Sequence, residues 1–283
     1  MWTLVWMSPN WENDWILNVF GDNIKQFVQH PVLVNHSILV TQTLSNIYYV
    51  ILEYEKAGYT YCILHLSDED LKPIVYPSSC ACIFRNYYNP ILTDSRIVYL
   101  PLGYKTGFTT SIHRQKEYDW VFAGDIKKSD RQEMVQALQS LDKKGYIYTT
   151  RGFNSSDCLT TEDYATLLMS SWFAPSPIGN KNIECFRTWE ALEAGSIPIV
   201  LDSSSFIKPH ISQYYATLVK ACGFDEPIPF PVLPSWKDVN EGCKWNDAPM
   251  LQQKCIEWWT RFKTSLRATC TLKLNEALGY NYQ

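Results

Sequence analysis

The sequence predicts an α/β protein with two parallel sheets. Short apolar, β-branched segments alternate with helix-like segments along most of the chain, the pattern of parallel strands covered by helices on both faces. The alternation pauses at residues 101–114, which contain two glycines with scattered threonine and serine, and it restarts at Trp120. A chain of 283 residues is long enough for two cores of ordinary size. We therefore predict two α/β domains, 1–110 and 111–245, followed by a helical region at 246–283.

The first domain is predicted from apolar runs and from one periodic segment. Residues 44–57 have helical periodicity and end at Gly58, a typical helix stop. The predicted strands are 3–7, 38–41, 61–66, 74–76, 81–84 and 96–100.

The second domain repeats the pattern. A strand at 120–123 leads through a tight turn at Gly124 to a helix that ends at Leu141, with Ser129 or Asp130 as its N-cap. The further predicted elements are strands at 146–149 and 172–174, a helix at 162–169, a helix at 184–194, a buried strand at 196–202, a rigid extended connection at 227–234 and a long helix at 246–277.

Bulk properties exclude several classes of protein. The net charge is −4 and no basic stripe occurs, which argues against nucleic acid as the main partner. No apolar run approaches the roughly 18 to 20 residues of a membrane span, and the first residues lack the pattern of a secretory signal. The nine cysteines include no CxxC pair, so we expect mostly free, buried thiols and a cytoplasmic location.

Three glycine-rich motifs of common enzymes are missing from the sequence. The chain has no G-x-G-x-x-G for a dinucleotide, no G-x-x-x-x-G-K-S/T for a nucleoside triphosphate and no G-x-S-x-G for a hydrolase nucleophile. Each of those chemistries depends on its loop, so these classes are excluded.

A charged helix start is the most informative local feature. Glu184, Arg187 and Glu190 recur every three residues after a loop with Gly179 and Asn180, so they share one helix face. A helix N-terminus attracts phosphates, a guanidinium grips them through a planar fork, and a carboxylate accepts hydrogen bonds from a ribose diol. The alternative is a surface ion pair on an ordinary helix, which the residues alone leave open.

The segment FRTWEALEAGSIPIVLD, residues 186–202, resembles the signature F-R-x-W/Y-E-A-L-x-x-G-x-I/V-P-V/I-V of the exostosin-type glycosyltransferases (family 47). Residues 63–69 (ILHLSDE) and 84–88 (FRNYY) resemble the acceptor-side half of the family's ribitol xylosyltransferase-like branch. Residues 100–104 (LPLGY) and 119–138 resemble the start of its donor half. The chain also resembles glycosyltransferases of large algal DNA viruses, which would place it in the host cytoplasm.

The resemblance implies the GT-B fold, in which two Rossmann-like domains face a cleft and the C-terminal helices pack back on the first domain. It implies transfer of a sugar, and by the branch xylose, from a UDP-sugar to a glycan hydroxyl with inversion. Arg187 would stabilise the leaving diphosphate and Glu190 would bind the ribose. No cofactor is required, and a divalent metal is possible but not expected, because the helix and basic side chains neutralise the diphosphate.

Two carboxylates are the predicted catalytic residues. Asp68 and Glu69 follow the strand at 61–66, at a carboxyl end where α/β sites form, so either could be the general base. Asp14 and Asp94 are weaker candidates. Asp68 and Asp70 also match a metal-binding D-x-D, an alternative that the two-domain layout disfavours.

Further donor contacts are predicted from their positions. Gly124 lets the backbone approach the ligand closely, Arg85 and Arg131 could hold phosphate, and Thr150 could meet the nucleobase. A structural ion pair for Arg85 and an exposed position for Arg131 remain open. Two other functions also remain open: a UDP-sugar epimerase or hydrolase on the same fold, and a non-catalytic glycan-binding module.

Overall fold

A computed structural model describes residues 1–29, 32–108, 110, 115–152, 155–202, 211 and 213–280. The chain divides into two units, each with its own parallel sheet. Unit 1 comprises Met1–Pro101, Leu218–Asp225 and Lys263–Gln283, and unit 2 comprises Leu102–Thr217 and Glu226–Phe262. The division between the units falls after Pro101, the first residue of the predicted 101–114 linker. Residues 109 and 111–114 of that linker lie outside the described residues.

Unit 1 contains a six-stranded sheet in which every pair of neighbours is parallel. Its strands are β1 (Trp2–Trp6), β2 (Ile24–Gln29), β3 (Ser37–Thr41), β4 (Tyr61–His65), β5 (Ile83–Arg85) and β6 (Ile97–Tyr99). The spatial order is β2-β1-β3-β4-β5-β6. Val5, Leu39, Ile63 and Ile83 lie in register across β1, β3, β4 and β5 and are fully buried, so the apolar runs form the core.

Two N-terminal helices, the segment Leu218–Asp225 and the end of the chain complete unit 1. The helices are α1 (Asn13–Phe20) and α2 (Tyr48–Ala57), and the final helix of the chain spans Ala248–Ala277. Within unit 1, Asn23 Nδ2 donates to Thr271 Oγ1 at 2.8 Å and Arg267 Nε donates to Asn18 O at 3.0 Å. The predicted packing of the C-terminal helix on the first domain is therefore confirmed for its second half.

Unit 2 contains a five-stranded parallel sheet. Its strands are β7 (Tyr118–Gly124), β8 (Gly145–Thr149), β9 (Ser171–Pro175), β10 (Ile197–Leu201) and β11 (Val232–Leu233), in the spatial order β11-β10-β9-β7-β8. The remaining helices are α3 (Arg131–Gln139), α4 (Thr161–Met169), α5 (Phe186–Glu193), α6 (Tyr214–Ala221), α7 (Val239–Gly242) and α8, the final helix named above. Trp189 of α5 stacks on Trp259 and Phe262 of α8, with ring centroids 5.6 and 6.1 Å apart.

Several elements differ from the prediction. The strand predicted at 74–76 does not form, and Val75 is 94% exposed. Strand β2 and helices α1 and α6 were not predicted, and the connection at 227–234 includes the short strand β11. Helix α5 begins at Phe186 rather than Glu184, because Cys185 has extended backbone angles.

Two parallel-sheet units and a C-terminal helix that ends in the first unit are the organisation predicted for the GT-B class. In the described part of the chain, every helix is too short or too polar to serve as a membrane span.

Candidate functional site

The carboxyl edge of the unit 2 sheet brings two predicted residues together. Gly124 ends β7 and Thr150 directly follows the neighbouring strand β8. The Thr150 amide donates to Gly124 O at 3.2 Å. Because ligands of parallel α/β sheets bind beyond the carboxyl ends of the strands, this edge is the expected position of a binding site.

Gly124 is a position that only glycine fits. Its φ of +151° lies in the region that side chains rarely adopt. A Cβ there would overlap the guanidinium of Arg187 and would lie 3.3 Å from Phe122. The missing side chain therefore makes the room that Arg187 occupies.

Arg187, in the first turn of α5, is held against the end of β7. Its Nε donates to Ala123 O at 3.1 Å, and its guanidinium lies 5.2 Å from the centre of the Phe122 ring. These contacts fix the side chain through one nitrogen. Among the described residues, none accepts a hydrogen bond from its two terminal nitrogens, so the fork can bind an anion.

A second guanidinium lies close to the first. Arg131, the first residue of α3, is 6% exposed, and its Nη1 donates to Asp125 O at 2.7 Å while its Nε has no partner among the described residues. Burial, and next the positive charge of Arg187, lower the pKa of Arg131 to about 10. Neither arginine forms an ion pair with a carboxylate of the described ranges. Two neighbouring cations without such a pair, each in the first turn of a helix whose dipole has the same sign, are an arrangement that can bind an anion.

Glu190 lies one turn along α5 from Arg187. It is 5% exposed, and one carboxylate oxygen accepts from the Lys105 amide at 3.4 Å. Burial raises the pKa of Glu190 to about 7, and the charge of Arg187 opposes the rise. Tyr164 of α4 lies near the same groups, since Glu190 and both arginines all influence its pKa, which burial raises. Sequence reasoning missed Tyr164 and Phe122, whose positions depend on tertiary packing.

Glu184 has a structural position. It precedes α5 and is 1% exposed. Its carboxylate accepts from the Leu102 amide at 2.7 Å, from Trp189 Nε1 at 2.9 Å and from Tyr214 OH at 3.1 Å. The predicted face shared with Arg187 and Glu190 is therefore wrong for Glu184, which instead ties the start of unit 2 to α5.

Two buried carboxyls give a testable pH dependence of stability. Burial raises the pKa of Glu184 and of Glu190 from 4.5 to about 7. Between these values the folded state binds more protons than the unfolded state, so each carboxyl lowers stability as the pH rises, by about 1.4 kcal/mol per pH unit at most. We expect Glu184→Gln and Glu190→Gln each to gain stability relative to wild type between pH 5 and pH 7, measured by urea unfolding. A difference that stays constant with pH would contradict these assignments.

In unit 1, Asp68 and Arg85 form a buried ion pair. Arg85 Nη2 lies 3.1 Å from Asp68 Oδ2, and Arg85 has no exposed surface. Arg85 also donates to Asn86 O at 3.3 Å and to Tyr76 OH at 3.2 Å. The geometry thus supports the structural alternative for Arg85 and not a donor-phosphate contact. The carboxylate of Asp68 is the other member of this ion pair.

Glu69 and Asp70 lie nearer the surface. Glu69 is half-buried, and one oxygen accepts from Tyr87 OH at 3.0 Å. Asp70 is exposed, and its carboxylate lies 3.6 Å from Lys72 Nζ. In the described ranges, no three His, Cys, Asp or Glu side chains cluster at a possible metal site.

Comparison with known proteins identifies the family. A family model described as the RXYLT1 C-terminal domain matches residues 99–278, well over half of the chain. The chain belongs to this family. This membership confirms the resemblance, seen in the sequence, to the exostosin-type, xylosyltransferase-related family.

The curated relatives are all named ribitol-5-phosphate xylosyltransferase 1. The Mus musculus protein is 26% identical over 221 residues, covering 70% of this chain and 49% of the relative. The Homo sapiens protein is 25% identical with the same coverage, and the Danio rerio protein is 23% identical over 279 residues, covering 89% and 58%. The chain therefore spans about half the length of the curated relatives it matches.

The chain also aligns with solved structures. A crystal structure of an alpha1,3-fucosyltransferase aligns with 99% of this chain and 91% of its own, at 9% identity and a TM-score of 0.49. A similarity this low supports no argument about fold or function.

Proposed function

We propose that the chain is a UDP-sugar-dependent glycosyltransferase that transfers xylose to a hydroxyl of a ribitol-phosphate-bearing glycan. The observation that carries the proposal is the pair Arg131 and Arg187 at the carboxyl edge of the unit 2 sheet. The names of the relatives suggest xylose and ribitol-5-phosphate, and the resemblance of the sequence suggests UDP as the leaving group.

The donor would bind with its diphosphate against the two arginines. The free nitrogens of Arg187 would form two parallel hydrogen bonds to phosphate oxygens, and Arg131 Nε would supply a third donor. Gly124 would admit the diphosphate close to the backbone, Glu190 would accept from the ribose hydroxyls, and the backbone at Thr150 would meet the base. Two guanidinium charges would stabilise the departing diphosphate, so we propose that no metal is required.

The transfer would proceed with inversion at the sugar. The acceptor oxygen would attack the anomeric carbon from the face opposite the diphosphate, and the bond between that carbon and the phosphate oxygen would break. The bonding electrons would leave with UDP, and the acceptor proton would pass to a general base.

The proposal is tested by following product and UDP together. We expect the protein with UDP-xylose and a ribitol-5-phosphate glycoside to form a xylosylated product and to release one UDP per product, in the presence of EDTA. UDP release without an acceptor product would favour the hydrolase alternative. A protein that binds the glycan but ignores the nucleotide sugar would favour the non-catalytic binding module.

A further inference from the structure

Unit 2 places a tyrosine of α4 near Glu190 of α5. The Tyr164 ring packs edge-on against Phe108, with ring centroids 6.2 Å apart and planes at 67°. The Phe108 amide donates to Lys105 O at 3.1 Å, and the Lys105 amide in turn donates to the Glu190 carboxylate at 3.4 Å. The turn at 105–108 therefore contacts both helices, and Tyr164 and Glu190 lie on either side of it.

A second contact fixes this turn on α4. Gly107 has a φ of +80°, and a Cβ there would lie only 3.1 Å from Thr161 Oγ1, at the start of the helix. The charges of the site also reach Tyr164, since burial raises its pKa, the carboxylate of Glu190 raises it further and Arg187 opposes the rise. Tyr164 therefore lies among the side chains to which the proposed function assigns the sugar donor.

The hydroxyl of Tyr164 is unpaired and accessible. The residue is half-buried, yet its hydroxyl forms no hydrogen bond within the described part of the chain, and its oxygen keeps exposed surface. The second carboxylate oxygen of Glu190 is in the same condition. The fully buried Tyr214 differs, since its hydroxyl donates to Glu184 at 3.1 Å. Packing on Phe108 requires only the Tyr164 ring, so it does not account for the hydroxyl.

The diol of a ribose matches these two groups. Each of its hydroxyls can donate one hydrogen bond and can also accept, whereas an ionised carboxylate only accepts. Glu190 alone would therefore leave the diol oxygens without a donor, and a phenolic O–H supplies one. A phosphate is a poorer occupant of this place, because its charge would meet the negative charge of Glu190.

We infer that Tyr164 is a further donor-binding residue whose hydroxyl donates to one hydroxyl oxygen of the ribose, and this inference rests on the proposed function. Glu190 accepts from the same diol, while Arg131 and Arg187 bind the diphosphate. Polar groups arranged around a ligand hydroxyl discriminate against a ligand that lacks it, because they are then left unpaired. The unit 2 site thus selects ribonucleoside over deoxyribonucleoside diphosphates.

Calorimetric titration of the full chain with UDP, 2′-deoxy-UDP and 3′-deoxy-UDP tests the inference. We expect the wild-type protein to bind both deoxy analogues more weakly than UDP. Tyr164→Phe keeps the ring on Phe108 and should weaken UDP binding about threefold to tenfold, the effect of one lost neutral hydrogen bond. Its affinity for one of the two analogues should equal that of wild type, because that analogue already lacks the contacted oxygen.

Tyr146→Phe is the matched control. Tyr146 is an exposed tyrosine at the amino end of β8, away from the carboxyl edge of the sheet. This variant should bind all three ligands as wild type does. Thermal unfolding of both variants verifies that they are folded, and the comparison of the three ligands on the wild-type protein needs no variant.

The outcomes separate this inference from the proposed function. Unchanged UDP affinity in Tyr164→Phe, or an equal loss for UDP and both analogues, would overturn the inference while the wild-type donor site stands. Equal affinity of the wild-type protein for UDP and both analogues would overturn it as well. A folded wild-type protein that binds none of the three ligands would overturn the proposed function itself.

Discussion

Replacement of Arg187 by alanine is expected to reduce kcat/KM for sugar transfer about 100- to 1000-fold, the size of effect seen when one preorganised donor to a developing negative charge is removed. The side chain is fixed by Ala123 O and by the Phe122 ring, so its fork is already oriented before the donor binds. Steady-state kinetics with UDP-xylose measure the change.

Two further variants serve as controls for Arg187→Ala. Arg187→Lys keeps the charge but loses the planar fork, and it should recover only part of the loss. Arg261→Ala removes an exposed arginine of unit 2 that is paired with Glu226, and it should leave transfer unaffected. Equal rates for Arg187→Ala and wild type would show that the diphosphate does not bind at this helix start.

Replacement of Glu184 by alanine is expected to destabilise the protein by about 3 to 5 kcal/mol, because a buried donor left without its acceptor costs about 1 to 3 kcal/mol and three donors lose theirs. The change leaves the Leu102 amide, the Trp189 indole and the Tyr214 hydroxyl without their acceptor. Urea unfolding followed by the fluorescence of the eleven tryptophans measures it.

The isosteric Glu184→Gln variant is the control for this prediction. Its carbonyl oxygen can still accept from Leu102 and Trp189, while its amide can donate to the Tyr214 oxygen. At pH 5, where the raised pKa keeps Glu184 protonated, the loss should therefore stay near about 1 kcal/mol, and it should shrink as the pH rises. If Glu184→Ala unfolds at the wild-type urea concentration, the network does not stabilise unit 2 as we describe.

The sequence predicts the interior of both sheets and the edge strands β6 and β8, but it misses the edge strands β2 and β11. The central strands are continuous apolar runs because both faces are covered, and β1, β3, β4, β7 and β10 were all predicted. Strand β2 was missed because its sequence, IKQFVQ, is mixed and its side chains are largely outside the core. The predicted strand at 74–76 was wrong because Val75, although β-branched, finds no neighbour to pack against and stays exposed.

The candidate site was likewise predicted only in part from the sequence. Gly124, Arg131, Thr150, Arg187 and Glu190 were all placed from local motifs, and unit 2 brings them to one region. Contacts between residues distant in sequence cannot be predicted from local patterns. The sequence therefore left two roles open for Arg85, and the structure pairs this residue with Asp68.

Binding of UDP by the wild-type protein in the presence of EDTA is the most direct test of the account. Calorimetric titration with UDP and with GDP, repeated on Arg187→Ala, should show UDP-selective binding that survives the chelator and is lost in the variant. Absence of nucleotide binding by a well-folded protein would contradict the donor site and, with it, the transferase. Binding that EDTA abolishes would instead contradict a metal-independent site and return Asp68 and Asp70 to consideration as ligands.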